Sequence, residues 1–123
     1  AYRFSCQLNE NSAMFAGVTD VPEMNHNEIV AWTSESAQNR ALLLFSCEDL
    51  NPRTSARIEW MLEEIESSPT WVIECEGESL LERLLYAAHV TDWLSIGLAL
   101  LTGKDPSEMP SIESLKAHLN SIQ

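Results

Sequence analysis

Ala41-Leu42-Leu43-Leu44-Phe45 is a continuous apolar run. A run this short fits a strand covered on both faces, although a short buried helix can look alike. Asn51-Pro52 pairs an N-cap residue with proline at the first helical position. Ile58, Met61, Leu62 and Ile65 then recur at the spacing of an amphipathic helix, with Glu59, Glu63, Glu64 and Glu66 on the other face. Pro69 ends that helix, and Thr70 to Cys75, centred on Val72 and Ile73, reads as a second strand. Strand, helix, strand implies a right-handed crossover and a parallel sheet.

Ser79 and Glu82 form a capping box that opens a long helix carrying Leu81, Leu84, Leu85, Ala88, Leu94, Leu98 and Leu101, with Gly103 as its stop. That helix is apolar nearly all round, so burial on more than one side is expected. After a turn-rich connection from Lys104 to Pro110, Ser111 opens a last helix with Ile112, Leu115, Leu119 and Ile122 on one face. Upstream, residues 1 to 16 read as a helix with Phe4, Leu8 and Phe15 near one face, and Gly17 as its stop. A second helix is expected over Pro22 to Trp32, followed by a polar linker from Thr33 to Arg40. The fold class is therefore α/β with a partial doubly wound parallel sheet. Two parallel strands leave exposed edges and too little sheet for so many helices, so further strands are expected upstream or from a partner chain.

The whole chain has 123 residues, which suits one domain or part of one. Its formal charge of -12, from 7 basic and 19 acidic residues, excludes nucleic acid and an anionic membrane surface as natural partners. The longest greasy stretch, Leu80 to Leu101, is interrupted by Glu82, Arg83, His89 and Asp92 and is not expected to span a membrane. Cys6, Cys47 and Cys75 are widely spaced and form no CxxC pair, so they predict free structural thiols in a reducing, cytoplasmic setting rather than zinc or redox chemistry.

The densest polar constellation is Asn9-Glu10-Asn11 together with Glu23-Met24-Asn25-His26-Asn27-Glu28. It offers carboxylates that can shuttle protons when desolvated, an imidazole that titrates near neutrality, and amides. On residue types alone, a solvated acidic helix face is the better explanation. His26 with Glu23 or Glu28 could ligate a metal, but no HExxH and no second histidine lie near, so no metal site is expected. His89 is read as a core or interface histidine, His118 as a surface one, Thr91 and Asp92 as structural or interfacial, and the tryptophans as packing anchors or interface groups.

Leu8-Asn9-Glu10-Asn11 with Pro22-Glu23-Met24-Asn25-His26-Asn27-Glu28-Ile29-Val30 closely resembles the bifunctional phosphoglucose/phosphomannose isomerases of the SIS (sugar isomerase) superfamily. The likeness resumes at Glu76-Gly77-Glu78-Ser79, Thr91-Asp92-Trp93, Gly103-Lys104-Asp105-Pro106 and Ile112-Glu113-Ser114-Leu115-Lys116. Met24 replaces a usual leucine, and Ala31 a usual glycine.

The resemblance implies an aldose–ketose isomerase that interconverts glucose 6-phosphate or mannose 6-phosphate with fructose 6-phosphate through a cis-enediol. Glu10 matches the base, His26 the histidine that assists ring opening, and Lys116 a lysine near the ring oxygen and O1. Asn9, Asn11 and Asn25 beside them are taken as substrate-binding amides. The resemblance implies no cofactor, and a homodimer in which His26 crosses to the neighbouring subunit's site.

The family chain holds two SIS halves, and its first half supplies the Ser/Thr-rich phosphate loops. No such loop follows a strand here, since Ser46 is followed by Cys47-Glu48-Asp49. The chain thus resembles the C-terminal SIS subdomain over residues 1–123, flavodoxin-like and three-layered, lacking its first strand and partnered by an N-terminal SIS subdomain. The alternative is a non-catalytic SIS module for phosphosugar binding or dimerisation.

Overall fold

A computed structural model describes residues 1–122. The elements in chain order are α1 (Tyr2–Asn11), α2 (Ile29–Trp32), β1 (Leu42–Ser46), α3 (Pro52–Glu64), β2 (Thr70–Glu74), α4 (Leu80–Leu101) and α5 (Pro110–Asn120). They form two compact units. One runs from Val18 to Ala87; the other combines Tyr2–Gly17 with the chain from Ala88 onward, so the boundary falls inside α4.

The first unit is built on the expected strand–helix–strand. β1 and β2 pair in parallel, from Leu42 opposite Thr70 to Ser46 opposite Glu74. Leu42 N–H donates to Pro69 O at 2.9 Å and Cys75 N–H to Ser46 O at 2.8 Å, extending the ladder at both ends. Asn51 Oδ1 accepts from Arg53 N–H at 2.9 Å, and Pro52 takes the first turn of α3, where its missing N–H costs nothing. Leu42, Leu44, Ile58, Met61 and Ile65 form the core together with Met24, and Met61 is 0% exposed.

The helix expected over Pro22 to Trp32 is broken. A 3₁₀ turn covers Glu23–Asn25, and α2 starts only at Ile29. The break lies at Asn27, whose Oδ1 accepts the N–H of Glu28 at 2.6 Å, a short-range bond that competes with helix. The linker after it holds another 3₁₀ turn, Glu35–Ala37, capped by Ser34. Ser68 Oγ fastens this turn by donating to Ala37 O at 2.6 Å.

The long helix α4 starts as its capping box requires. Glu82 Oε2 accepts from Ser79 N–H at 2.9 Å and Glu78 N–H at 2.7 Å, while Ser79 Oγ accepts from Glu82 N–H at 3.3 Å. The expected burial on several sides is not found. Thr91, Ser95 and Ala99 are its buried residues, whereas Leu80, Leu81, Leu84, Leu85, Leu100 and Leu101 are exposed. The apolar face has no cover among the described residues.

By length and composition α4 could cross a membrane. Three of the four polar residues that argue against a span are engaged by protein groups. Glu82 caps the helix, Arg83 pairs with Asp49 and donates to Gly77 O at 2.9 Å, and Asp92 pairs with Arg3.

In the second unit α1 lies along the buried stripe of α4. Phe4, Ser5 and Ser12 are buried, and Asn11 Nδ2 donates to Ser95 Oγ at 2.9 Å. Arg3 and Gln7 both donate to Asp92 Oδ1. The hydrogen bond from Arg3, then that from Gln7, holds the Asp92 carboxyl below the ordinary aspartate range. α1 stops at Asn11 rather than residue 16. Leu8 O accepts from both Ser12 N–H at 3.2 Å and Met14 N–H at 3.1 Å, and Ala13 takes the left-handed conformation with φ +52°. Phe15, expected on the helical face, lies beyond the helix and is fully exposed. α5 begins at Pro110 and is exposed along its length, so its apolar stripe also faces away from the described residues.

This packing sets two expected outcomes. Met61→Ala lowers the stability of the first unit by about 2–5 kcal/mol, whereas Glu63→Ala on the exposed face of α3 changes it by less than about 0.5 kcal/mol, as read by urea denaturation. Because the Asp92 pKa is depressed on folding, its contribution is complete above the unfolded value of about 3.9 and disappears as the pH falls through the lower folded value. The difference in denaturation midpoint between wild type and Asp92→Asn should therefore be constant near neutrality and close below about pH 4. A difference that persists unchanged into acid would contradict this role.

Candidate functional site

Glu10 sits in the last turn of α1 and its side chain is exposed. A carboxylate is electrostatically disfavoured at this end of a helix, where the carbonyl groups carry partial negative charge. No basic residue of α1 itself lies in that turn. The compensating cation is Lys104, whose Nζ donates to Glu10 O at 2.7 Å, to Asn11 O at 3.0 Å and to Glu108 O at 3.4 Å.

The amides flanking Glu10 have structural partners. Asn9 Nδ2 donates to Ser5 O at 2.6 Å and Ala16 O at 3.4 Å, and its Oδ1 accepts from Ala16 N–H at 3.4 Å, which folds the segment after α1 back onto the helix. Asn11 is bonded to Ser95 of α4. Together these contacts hold the turn that carries Glu10 from both sides. Lys116 belongs to the same unit, on the exposed surface of α5.

His26 and Asn25 belong to the other unit. The segment that carries them is anchored by Met24, which is 1% exposed and part of the core. With Met24 turned in, His26 is turned out to solvent just beyond the 3₁₀ turn. Asn27 Nδ2 donates to Glu23 Oε1 at 3.3 Å, bracing the same segment. Asn25 lines a shallow hollow with Arg53, Ala56, Arg57 and Trp60, and its Oδ1 is buried without a hydrogen-bond partner among the described residues. An unmatched buried acceptor is costly, so this hollow is a natural place for a donor from a ligand or a neighbouring chain.

The carboxyl ends of parallel strands are the usual ligand side of an open sheet. Here that side is a hollow lined by Glu48, Glu74, Cys75, Glu76, Gly77 and Arg83. Gly77 adopts φ +142°, and a Cβ there would stand 2.6 Å from Glu82 Cβ, so only glycine lets the chain turn this closely over the start of α4. The lining carboxylates repel phosphate, and the single arginine is committed to Asp49. Burial raises the Cys75 pKa, with the negative charge of a Cys47 thiolate and then that of Glu74 adding to it. Burial, then the hydrogen bond to Asp49, raises that of Cys47. Both therefore stay as thiols, and all three cysteines are free. Among the described residues no three His, Cys, Asp or Glu side chains converge as a metal ion requires.

The remaining polar residues have local roles. His89 is exposed rather than in a core and meets Trp93 edge to face, with ring centroids 6.4 Å apart. His118 lies on the exposed last turn of α5. Sequence reading missed the part played by Lys104. Its motif Gly103-Lys104-Asp105-Pro106 was visible, but its acceptors lie more than ninety residues away in the chain.

The family model described as the bacterial phospho-glucose isomerase C-terminal SIS domain matches residues 1–119. Curated relatives include a bifunctional phosphoglucose/phosphomannose isomerase of Aquifex aeolicus, 38% identical over 124 residues, covering 97% of this chain. Its namesakes from Thermoplasma volcanium and Thermoplasma acidophilum are 33% and 28% identical over 120 residues, covering 97% and 98% of this chain. The chain spans 38% of the length of each of these relatives. No solved structure matches. A single match running over nearly every residue, through both units and both polar segments, assigns the chain: it belongs to the bacterial phospho-glucose isomerase C-terminal SIS domain family.

Proposed function

We propose that this chain is the C-terminal SIS part of an aldose–ketose isomerase that interconverts glucose 6-phosphate or mannose 6-phosphate with fructose 6-phosphate. The observation that carries the reading is Glu10, a carboxylate on a braced helix end, within a chain that belongs to this isomerase family. In the aldose-to-ketose direction the Glu10 carboxylate removes the proton from C2. The electron pair forms the C1–C2 double bond of a cis-enediolate as the C1 carbonyl pair moves onto O1; the O2 proton passes to O1, and the same carbon-bound proton or one from solvent is returned to C1 as C2=O forms. No redox carrier enters, because the oxidation of C2 balances the reduction of C1. Rate comes from positioning and from stabilising the enediolate oxygens.

His26 assists ring opening by proton transfer, and Lys116 stabilises charge at the ring oxygen and O1. Asn9, Asn11 and Asn25 serve the substrate's surroundings, Asn9 and Asn11 through the backbone they hold. The sugar phosphate is gripped by an N-terminal SIS subdomain, in keeping with the carboxylate-lined hollow at the strand ends. The doubly wound sheet is completed by strands outside this chain, which accounts for a pair with open edges. The complete protein works as a cytoplasmic homodimer, with His26 acting in the neighbouring subunit's site. Uncovered leucines on α4 and an uncovered α5 are consistent with burial against such partners.

The test is exchange with solvent. In the complete protein, Glu10→Gln should cut the incorporation of deuterium from heavy water at C2 of glucose 6-phosphate by about a hundredfold or more while sugar phosphate still binds. Exchange at the wild-type rate would remove Glu10 as the base. Binding without turnover by the wild-type protein would instead identify a phosphosugar-binding module.

A further inference from the structure

Lys104 directs its ammonium at three main-chain carbonyls. It comes directly after Gly103, and together they end α4 in a Schellman motif: Lys104 N–H donates to Ala99 O at 2.9 Å and Gly103 N–H to Leu100 O at 3.1 Å, with Gly103 at φ +73°. This reversal carries Lys104 off the end of α4 to the end of α1. There its ammonium meets the carbonyl oxygens of Glu10 and Asn11, which lack intrahelical partners. A third acceptor, Glu108 O, lies in the connection that leads to α5. The same connection is stiffened by Asp105, whose Oδ1 accepts from Ser107 N–H at 2.8 Å and Ser107 Oγ at 2.7 Å. One cation thus ties together the turn carrying Glu10, the end of α4 and the approach to the helix carrying Lys116.

We infer that Lys104 is a positioning residue for proton transfer, fixing the main chain of Glu10 and so the reach and direction of its carboxylate. The inference rests on the reading of Glu10 as the base. Two physical consequences separate it from general support of the fold. The ammonium bonds the backbone of the reacting residue itself, so its loss acts on the chemical step. It also offsets the negative end of the helix dipole where a carboxylate is held, which no residue of α1 does.

The experiment compares wild type, Lys104→Met, Lys104→Arg and Glu10→Gln in the complete protein. It measures turnover of glucose 6-phosphate and of the same substrate deuterated at C2. For Lys104→Met, kcat should fall on the order of 10- to 100-fold, as misplacement of a reacting group does, with KM changed by less than about twofold. The primary isotope effect should rise, because proton transfer becomes slower than the steps around it. Lys104→Arg, which keeps charged donors, should recover most of the rate. If the methionine variant fails to fold, Lys104→Gln, which keeps one donor without the charge, carries the test: a rate below wild type with a raised isotope effect supports the inference, and wild-type values for both overturn it. A Lys104→Met variant that only melts earlier, with kcat and isotope effect unchanged, also overturns it. If Glu10→Gln retains turnover, the underlying reading of the base falls as well. If Glu10→Gln is inactive and Lys104→Met is not slowed, the positioning role alone falls.

Discussion

The end of α1 is the constraint on which the candidate site depends. A helix that stops leaves carbonyl groups without partners, and this one stops beside a residue whose own side chain is negative. The chain resolves the conflict by tertiary contacts: Lys104 caps the carbonyls, Asn11 bonds Ser95, and Arg3 and Gln7 grip Asp92 at the other end of the helix. α1 is therefore fastened to α4 at both ends, and the exposed Glu10 side chain stands on a fixed base. In the proposed isomerisation a carboxylate must reach one carbon and then its neighbour, and small errors of placement are expensive in rate.

The acidity of the chain obeys the same separation of tasks. Glu59, Glu63, Glu64 and Glu66 occupy the exposed face of α3 and its end, and Glu48, Glu74 and Glu76 ring the strand ends. Arg3, Arg83 and Lys104 are each engaged in holding elements together. Such a distribution leaves the strand ends lined by carboxylates, which disfavour an anionic group there.

Local chemistry made part of this legible in the sequence. Asn51-Pro52, the Ser79/Glu82 box and Gly103 mark their helix ends through bonds that span only a few residues, and β1, α3, β2 and α4 fall where those signals put them. The end of α1 was not legible, because its stop is made by Ser12 and Ala13 against Leu8 and not by the glycine beyond. The break before α2 depends on one side-chain bond of Asn27. The burial expected for α4 assumed cover that the described residues do not supply. Glu10 and His26 stood out through their motif, whereas Lys104 did not, since its role exists only once residues far apart in the chain are brought together.

In the proposed reaction Glu10 is the group that meets the reacting carbons. The most direct test is a crystal structure of the complete protein with a phosphorylated hydroxamate mimic of the enediolate, whose nitrogen and carbonyl carbon stand for C1 and C2. A Glu10 carboxylate oxygen is expected within about 3.2 Å of the mimic at that pair, beside the Lys104-capped end of α1. A different carboxylate in that place, with Glu10 left in solvent, would contradict the claim.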